Sequence, residues 1–308
     1  MSDTALRIRV IGDLFPELAE QLAATGAEAV QDAADAQGIV CSYGGTPAEL
    51  HDTLAAHPGI PWVQLPSAGI EAFAASLRDH PGLIWTSAKG AFALPVAEHA
   101  LALTLALLRE LPERVRARSW APASGTSLHG LHVVVVGAGG VGLEIVRLMK
   151  CFDTRVTVVR RRGEPVAAAD RTVTDAELMA VLPTADVVVL AAAATPDTRQ
   201  LIDAAALAAL PAHAVLINIA RGALVDTDAL VAALGAGRIA GAALDVTDPE
   251  PLPDGHPLWE EPRALITPHA ADTLEMIRPL YAARVGENVA RRRAGRELVG
   301  LVDPAAGY

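Results

Sequence analysis

An unbroken apolar run passes directly into a glycine turn at residues 132–142, which read HVVVVGAGGVG. The four consecutive valines predict a strand that is buried on both faces, as the strands of parallel sheets are. Behind the glycines, residues 141–152 have the apolar spacing of a helix. A strand, a tight turn and a helix in this order predict the opening unit of a doubly wound parallel sheet.

The glycine turn has the spacing GxGxxG, in which each glycine has a separate steric role in a dinucleotide site. Gly137 makes the tight turn, Gly139 lets the backbone approach a pyrophosphate, and Gly142 allows the helix to pack closely on the sheet. The start of the helix, at Gly140 and Val141, offers main-chain N–H groups to the pyrophosphate. A glycine-rich turn without a ligand is the alternative interpretation.

The end of the next predicted strand bears on which dinucleotide is bound. A site specific for NAD carries Asp or Glu about 20 residues after the glycine turn, whereas this chain has three arginines at residues 160–162. Guanidinium groups can bind a 2′-phosphate through paired N–H donors. We therefore expect Arg160 and Arg161 to favour NADP(H), with NAD(H) still possible. A solvated basic turn is the alternative.

Two series of apolar runs divide the chain of 308 residues into two predicted α/β domains. Strands are expected at residues 6–11, 38–43, 62–65 and 83–87 in the first series, and at residues 131–136, 155–159, 186–190, 214–219, 239–244 and 264–266 in the second. We predict two Rossmann-like domains. Residues 96–272 form a doubly wound, nucleotide-binding domain, and residues 1–95 with 273–308 form a smaller, flavodoxin-like substrate domain.

Two helical segments are expected to connect these domains. A helix over Val96 to Leu111 joins them, and Pro112 should kink or end it. The amphipathic tail from Thr273 to Arg293 has no strand left to pair with. We therefore expect this tail to cross back and pack on the first domain.

The composition indicates a folded chain with an aliphatic core. Apolar residues make up 52% of the sequence and aromatic residues only 4%, which predicts a core of Ala, Val, Leu and Ile. The formal net charge of -11 gives no general attraction to phosphate backbones or anionic lipids. We expect neither a nucleic acid nor a membrane as a partner.

The cysteines and the N-terminal residues predict a cytoplasmic protein. Cys41 and Cys151 belong to no CxxC motif and no Cys/His cluster, so no metal site is expected and both are interpreted as small core residues in a reducing compartment. The chain begins with polar residues, and no apolar run reaches the roughly 18 residues that span a bilayer.

Three ionisable side chains follow three consecutive strands of the second series. Arg221 follows one in INIARG, Glu250 follows the next in LDVTDPEPLP, and His269 follows the last in TPHA. Ligands bind beyond the carboxyl ends of such strands. A guanidinium can bind a carboxylate and polarise a carbonyl, and an imidazole held by a carboxylate can donate a proton near neutral pH. These groups meet the needs of reducing a 2-keto acid by hydride transfer.

Taken together, the motifs resemble the D-isomer-specific 2-hydroxyacid dehydrogenase family, which includes glyoxylate and hydroxypyruvate reductases. Over nearly the whole chain, the matching pieces occur in family order as GAGGVG, INIARGALVDTDAL, LDVTDPEPLP, HPLW and TPHAADT. The resemblance implies that Arg221 binds the substrate carboxylate and polarises its carbonyl. It implies that His269 protonates the carbonyl oxygen and that Glu250 pairs with the imidazolium.

The resemblance also implies further contacts around this triad. Thr195, Asn218, Ile219 and Asp245 are expected to contact the cofactor. The substrate is expected to contact main-chain N–H groups around Ala68 and Gly69. The chain departs from the family pattern at Ala193, where proline is usual, so the shape of that cofactor loop is expected to differ. His99, in an apolar helix, and His256, in a proline-rich loop, are interpreted as structural.

The resemblance leaves the substrate and part of the function open. Glyoxylate, hydroxypyruvate and phenylpyruvate are candidate substrates, and the family favours a homodimer joined through the nucleotide domain near the helix Val96 to Leu111 and the Trp120 loop. The alternative function is that of a dinucleotide-sensing interaction protein, similar to the corepressor relatives of the family. A complete triad does not exclude that alternative.

Overall fold

The computed structural model describes residues 5–303 of the chain. These residues group into two units, and each unit is built around its own parallel sheet. The first unit comprises the residues up to Phe92 together with those from Thr273 onward, and the second unit is Ala93–Asp272. Within residues 5–303, no helix is both long enough and apolar enough to cross a membrane.

The described part of the first unit contains a five-stranded parallel sheet in the order β2-β1-β3-β4-β5. This strand order is that of flavodoxin-like domains. The strands are β1 (Leu6–Ile11), β2 (Ala27–Val30), β3 (Gly38–Cys41), β4 (Trp62–Gln64) and β5 (Ile84–Thr86), and the helices are α1 (Pro16–Ala24), α2 (Pro47–Ala56), α3 (Ala74–Asp79) and α11 (Leu274–Arg293).

Helix α11 completes the interior of the first unit, where it packs against α1. Tyr281 and Val285 of this helix are fully buried. The buried amide of Asn288 donates to Oε1 of Gln64 at 2.8 Å and to the Val299 carbonyl at 2.9 Å, and it accepts from the Val299 N–H at 2.8 Å. Because these polar groups satisfy one another, they hold the helix in one register on the sheet.

The second unit, all of whose residues are described, contains a seven-stranded parallel sheet in the order β12-β11-β10-β9-β6-β7-β8. Its strands are β6 (His132–Val136), β7 (Arg155–Arg160), β8 (Arg171–Thr174), β9 (Val187–Leu190), β10 (Val215–Asn218), β11 (Gly241–Leu244) and β12 (Ala264–Ile266). Its helices are α4 (Ala93–Leu108), α5 (Leu111–Arg116), α6 (Gly140–Lys150), α7 (Leu178–Val181), α8 (Ala204–Ala209), α9 (Thr227–Gly235) and α10 (Pro257–Glu260).

The valine run of β6 explains why this sheet is covered on both faces. Val134 and Val136 belong to one buried cluster, and Val133 and Val135 belong to the cluster on the opposite face. Alternate residues of a strand point to opposite faces, so an uninterrupted valine run serves both cores. The predicted fold class, with a doubly wound domain and a flavodoxin-like domain, is confirmed.

The predicted number of strands is wrong in both series. The structure adds β2 to the first series and β8 to the second, and both lie at the edge of their sheet. Strand β2 exposes Glu28 and Ala29, and β8 exposes Arg171. These two edge strands lack the buried apolar run by which the other strands were predicted. The other predicted strand ends agree with the structure within two residues.

The helix predicted over Val96 to Leu111 lies three residues earlier, as α4. The chain then turns at Glu110, which has a left-handed φ of 53°. Pro112 therefore does not end α4 but falls in the first turn of the next helix, α5, where the missing N–H of a proline costs nothing.

Candidate active site

The three catalytic candidates follow the carboxyl ends of three neighbouring strands of the second sheet. Strands β10, β11 and β12 are adjacent and parallel, so their carboxyl ends lie side by side. Arg221, Glu250 and His269 occupy the loops that follow these strands. The sheet topology therefore gathers residues that are far apart in the sequence.

His269 and Glu250 form a direct pair. The Nδ1 of His269 lies 2.7 Å from Oε1 of Glu250, and the two side chains are 53% and 41% exposed. An ionised carboxylate only accepts hydrogen bonds, so Nδ1 carries the hydrogen in this pair and Nε2 is the ring nitrogen that Glu250 does not engage. The exposure leaves this nitrogen within reach of a small molecule.

The backbone of His269 adopts an uncommon conformation that directs its side chain. Its φ is 51°, in the left-handed region, and its N–H donates to the carbonyls of Asp245 at 2.8 Å and Thr267 at 3.0 Å. Non-glycine residues take positive φ rarely, and the surrounding hydrogen bonds must hold them there. The imidazole is thus aimed by its main chain as well as by Glu250.

Asp245, at the end of β11, anchors the loop that carries His269. Its buried carboxylate accepts from the Thr267 hydroxyl at 2.6 Å and from the N–H groups of Ala270 at 2.8 Å and Ala271 at 3.1 Å. Burial alone raises the pKa of Asp245, but the hydrogen bonds from His99, Thr267 and Ala270 outweigh it and lower that pKa to about 2. The lowered pKa keeps this carboxylate ionised at neutral pH.

His99 of α4 reaches the same anchor. Its Nε2 lies 3.1 Å from the Thr267 hydroxyl oxygen and 3.4 Å from Oδ1 of Asp245. The sequence analysis interprets His99 as a structural residue of an apolar helix. The structure instead joins it to Asp245, an expected cofactor contact. Nothing in the apolar pattern of the helix signals that contact.

Asp272 is a further site residue that sequence reasoning did not single out. This half-buried carboxyl has a raised pKa because burial outweighs the attraction of His269, and the negative charge of Asp245 adds to the rise. Its position three residues after His269 is the signal that a search for nearby acids would have used. Within residues 5–303, no group of three or more His, Cys, Asp or Glu side chains is arranged to hold a metal ion.

The turn after β10 holds Arg221 through its neighbours. The buried amide of Asn218 donates to the Arg221 carbonyl at 2.9 Å and accepts from the Ala220 N–H at 3.0 Å. The half-buried Arg221 side chain donates through Nη1 to the Ala220 carbonyl at 2.7 Å. The contact that the structure gives Asn218 is therefore with the Arg221 turn, and its proximity to a nicotinamide stays a prediction.

The loops that carry Arg221 and Glu250 are packed against each other at Gly222. A Cβ atom on Gly222 would lie 1.9 Å from the main-chain oxygen of Thr247. Beside this contact, the Thr227 hydroxyl donates to the Asp248 carbonyl at 2.7 Å. The loop that bears Glu250 is therefore fixed to the segment that begins with Arg221.

The glycine turn has the shape that a dinucleotide requires. Gly137 has a φ of 109°, and a Cβ on it would lie 2.5 Å from the Ala191 carbonyl oxygen, while a Cβ on Gly142 would lie 2.1 Å from the oxygen of Gly137. Among residues 5–303, no heavy atom lies within 4 Å of a Cβ built on Gly139. The turn is thus filled on the side of the protein and open where a pyrophosphate would approach.

Helix α6 starts at Gly140 with its first N–H groups available. Its N-cap, Gly139, supplies no side-chain cap to this N-terminus. Uncapped N–H groups and the positive end of the helix dipole suit an anion. These observations show that the residues present fit a dinucleotide.

The remaining predicted contacts are distributed over both units. In the second unit, Arg160 ends β7, Arg161 is exposed beside it, Thr195 precedes a short turn, and Ile219 is buried after β10. In the first unit, Ala68 is exposed and Gly69 half-buried in the loop after β4, where the Ser67 hydroxyl donates to the Gly69 carbonyl. Their proposed substrate contacts stay predictions.

Residues 101–271 match the model of a known protein family, described as D-isomer specific 2-hydroxyacid dehydrogenase, NAD binding domain. The matched range contains the glycine turn and the three loops that carry Arg221, Glu250 and His269. The match therefore covers more than half of the chain and all of the triad.

Individual relatives extend the similarity beyond that range. Glyoxylate/hydroxypyruvate reductase A of Yersinia enterocolitica is 32% identical over 253 residues, which are 78% of this chain and 79% of that protein. The structure of a D-isomer specific 2-hydroxyacid dehydrogenase from Xanthobacter autotrophicus, in complex with NADPH and MES, is 28% identical with a TM-score of 0.85, covering 99% of this chain and 100% of that one. A second solved structure is that of an NADPH-dependent glyoxylate/hydroxypyruvate reductase from Sinorhizobium meliloti, in complex with NADP and malonate. It is 29% identical with a TM-score of 0.73, and the match covers 99% of this chain and 98% of that one.

Proposed function

The chain belongs to the D-isomer specific 2-hydroxyacid dehydrogenase family, whose members are oxidoreductases acting on CH–OH groups, and we propose that it interconverts a 2-keto acid and the corresponding 2-hydroxy acid. The observation that carries this proposal is the pair of His269 and Glu250, whose ring nitrogen and carboxylate oxygen are 2.7 Å apart. A histidine held in this way can deliver and recover a proton at a carbonyl oxygen.

The catalytic roles follow from the chemistry of the three side chains. Reduction adds a hydride to C2 and a proton to the carbonyl oxygen, and a dihydronicotinamide, when bound, would supply the hydride. Arg221 holds the substrate carboxylate and draws electron density towards the carbonyl oxygen. His269 donates the proton through Nε2, and Glu250 stabilises the imidazolium before the transfer. In the opposite direction, His269 accepts the hydroxyl proton.

We propose NADP(H) as the preferred cofactor and NAD(H) as the weaker one. Arg160, at the end of β7, offers a guanidinium where a ribose 2′-phosphate would lie. Support comes from two relatives, since the Xanthobacter protein was solved with NADPH and the Sinorhizobium enzyme is described as NADPH-dependent.

Glyoxylate, hydroxypyruvate and phenylpyruvate are the proposed substrates. The first two follow from the similarity to the Yersinia reductase, which is named for them. The family resemblance supports main-chain N–H groups around Ala68 and Gly69 as contacts of the substrate carboxylate. Phenylpyruvate would require more room beside C3 than the two smaller acids.

The test is an assay of NADPH and NADH oxidation by absorbance, with each keto acid supplied in turn and pyruvate added to the panel. Turnover with NADPH and at least one of these acids, lost on replacing Arg221 by Ala, is the expected result. A protein that binds NADPH stoichiometrically and oxidises it with none of the acids would instead be a dinucleotide sensor, and the proposal would be wrong.

We further propose that the protein is a cytoplasmic homodimer joined through its second unit. Val115 of α5 and Trp120, in the segment after it, are both exposed, and aromatic side chains are enriched where protein surfaces meet. Light scattering should give a particle mass twice that of the chain, and Trp120→Glu should lower that measured mass towards the mass of one chain. Cys41 is buried as predicted, but the prediction that Cys151 is a core residue is wrong because its thiol is exposed. A reducing compartment suits an exposed free thiol.

A further inference from the structure

The guanidinium of Arg160 already has an acidic partner in the structure. Its Nη2 lies 3.3 Å from Oε2 of Glu164, and its Nη1 donates to the main-chain carbonyl of Glu164 at 3.2 Å. Arg160 is the last residue of β7, and Glu164 lies in the loop that follows it. A carboxylate therefore stands beside the arginine that the 2′-phosphate of NADP(H) would meet.

The position of this carboxylate is one that dinucleotide sites use. In doubly wound domains the ribose of the adenosine lies at the C-terminal end of the second strand, and NAD-specific sites place an acidic side chain there, about 20 residues after the glycine turn, to accept the ribose hydroxyls. Strand β7 ends without such a residue, but Glu164 comes 22 residues after Gly142 and is held at the strand end by Arg160.

We propose that Glu164 is a specificity-determining residue that lets one site use both cofactors. It accepts the ribose hydroxyls of NAD(H) while paired with Arg160, and it releases the guanidinium to the 2′-phosphate when NADP(H) binds. This inference rests on the proposed preference for NADP(H) and adds the residue that limits that preference.

The exposure of the pair makes such an exchange easy. The Arg160 side chain is 28% exposed and the Glu164 side chain 61% exposed, and exposed ion pairs are weak because water screens them. A phosphate with close to two negative charges and several acceptor oxygens is a stronger partner for a guanidinium than one carboxylate. The bound phosphate would still face the charge of Glu164, which opposes NADP(H) binding.

Equilibrium binding of NADPH and NADH, followed by dinucleotide fluorescence without any keto acid, tests the proposal. In Glu164→Gln we expect the Kd for NADPH to fall about threefold and the Kd for NADH to rise about threefold, the size that one exposed ion pair can account for. Glu164→Ala should tighten NADPH in the same direction, because the effect comes from the lost charge and not from the glutamine amide.

A matched control uses Glu287→Gln in the first unit. Glu287 pairs with Arg291 at 2.9 Å, also four residues apart, with side chains that are 45% and 30% exposed. This variant should change neither Kd. A change equal to that of Glu164→Gln would mean that the effect is one of overall charge, and the proposal would be overturned.

Arg160→Ala separates this inference from the proposed cofactor preference. We expect it to weaken NADPH at least tenfold and NADH much less. If Arg160→Ala is selective against NADPH but Glu164→Gln leaves the ratio of the two Kd values unchanged, the role of Glu164 is wrong and the preference stands. If Arg160→Ala weakens both cofactors equally, the preference for NADP(H) is wrong and the role of Glu164 falls with it.

Discussion

His99 Nε2 lies 3.4 Å from Oδ1 of Asp245, which joins helix α4 to the end of β11 beneath the candidate active site. The Asp245 side chain is 1% exposed and that of His99 is 21% exposed. A buried carboxylate needs hydrogen-bond donors on every side that water cannot reach. His99 supplies one of these donors from outside the loop that His269 belongs to.

Replacing His99 by Ala tests whether this contact positions the catalytic loop. We expect kcat for keto-acid reduction to fall about tenfold, because Asp245 also holds the main chain of Ala270 and Ala271 directly after His269. His99→Gln keeps a donor and should recover part of the loss. His129→Ala, which removes an exposed histidine paired with Asp153, should leave kcat unchanged. A lower Tm with unchanged kcat in His99→Ala would assign the contact to stability alone.

The pair of His269 and Glu250 predicts a loss of turnover when the charge of Glu250 is removed. Glu250→Gln keeps the size and an acceptor oxygen but removes the charge that stabilises the imidazolium. We expect kcat for reduction to fall about tenfold to a hundredfold, with the Kd for NADPH nearly unchanged. The measurements are kcat and the Kd for NADPH of both proteins. An unchanged kcat in Glu250→Gln would contradict the proposed role of the charge.

His269→Ala should abolish most of the proton donation. A decrease in kcat of about a hundredfold to ten-thousandfold is expected, with the Kd for NADPH nearly unchanged because the cofactor contacts proposed for the glycine turn do not involve His269. His213→Ala is the control, since His213 is exposed and pairs with Asp186. Comparable losses in both variants would remove His269 from the reaction.

Replacing Gly222 tests whether the close packing of the Arg221 and Glu250 loops stabilises the protein and supports turnover. Gly222→Ala must push the Thr247 main chain away, since its Cβ would start 1.9 Å from that oxygen. We expect the Tm to fall by about 5 °C and kcat to fall with it. Gly235→Ala, at the last residue of α9, is the matched control, because among residues 5–303 no heavy atom lies within 4 Å of its Cβ position. Its Tm should not fall.

His132 is buried at the start of β6, an interior strand of the second sheet, and so lies at the amino ends of the strands, whereas the triad loops follow their carboxyl ends. Its Nδ1 lies 2.7 Å from the Thr184 carbonyl oxygen and its Nε2 lies 2.8 Å from the Thr157 hydroxyl. A carbonyl only accepts, so Nδ1 carries the hydrogen and Nε2 accepts from Thr157. Burial lowers the pKa of His132, against the opposing hydrogen bond to Thr184.

This lowered pKa predicts a loss of stability in acid. The unfolded chain has the ordinary histidine pKa of about 6.5, so the neutral imidazole contributes fully above that pH. The contribution is lost as the pH falls from about 6.5 towards the lower folded-state value, because the unfolded state binds the proton first. His132→Gln should lower the Tm at about pH 8 and reduce its dependence on pH below about pH 6.5. Parallel Tm curves for the two proteins would contradict this prediction.

The sequence predicts the triad loops because each catalytic candidate follows a buried apolar strand. Val215–Asn218 and Ala264–Ile266 are recognisable from side chains alone, and parallel topology then places their ends together. The edge strands β2 and β8 are not predicted in this way, because their half-exposed residues lack the apolar run of a buried strand and resemble a loop. The turn at Glu110 escapes it as well, since Pro112 suits the start of a helix as well as the end of one.

The contacts of His99 and Glu164 show where sequence reasoning stops. His99 meets Thr267 from 168 positions away along the chain, and nothing in an apolar helix reveals which strand end it will face. Glu164 lies four residues after Arg160, but only the loop geometry turns its carboxylate back onto that arginine. Both residues depend on tertiary packing for their roles.

Helix α11 has a consequence for synthesis on the ribosome. It supplies Tyr281, Val285 and Asn288 to the interior of the first unit, yet it follows the whole of the second unit in the chain. Translation runs from the N-terminus, so the second unit, residues 93–272, is synthesised before α11. At that stage the sheet of the first unit still lacks the helix that covers one of its faces. The second unit can therefore fold first during synthesis. The first unit completes its fold last, although its sheet is translated before the second unit.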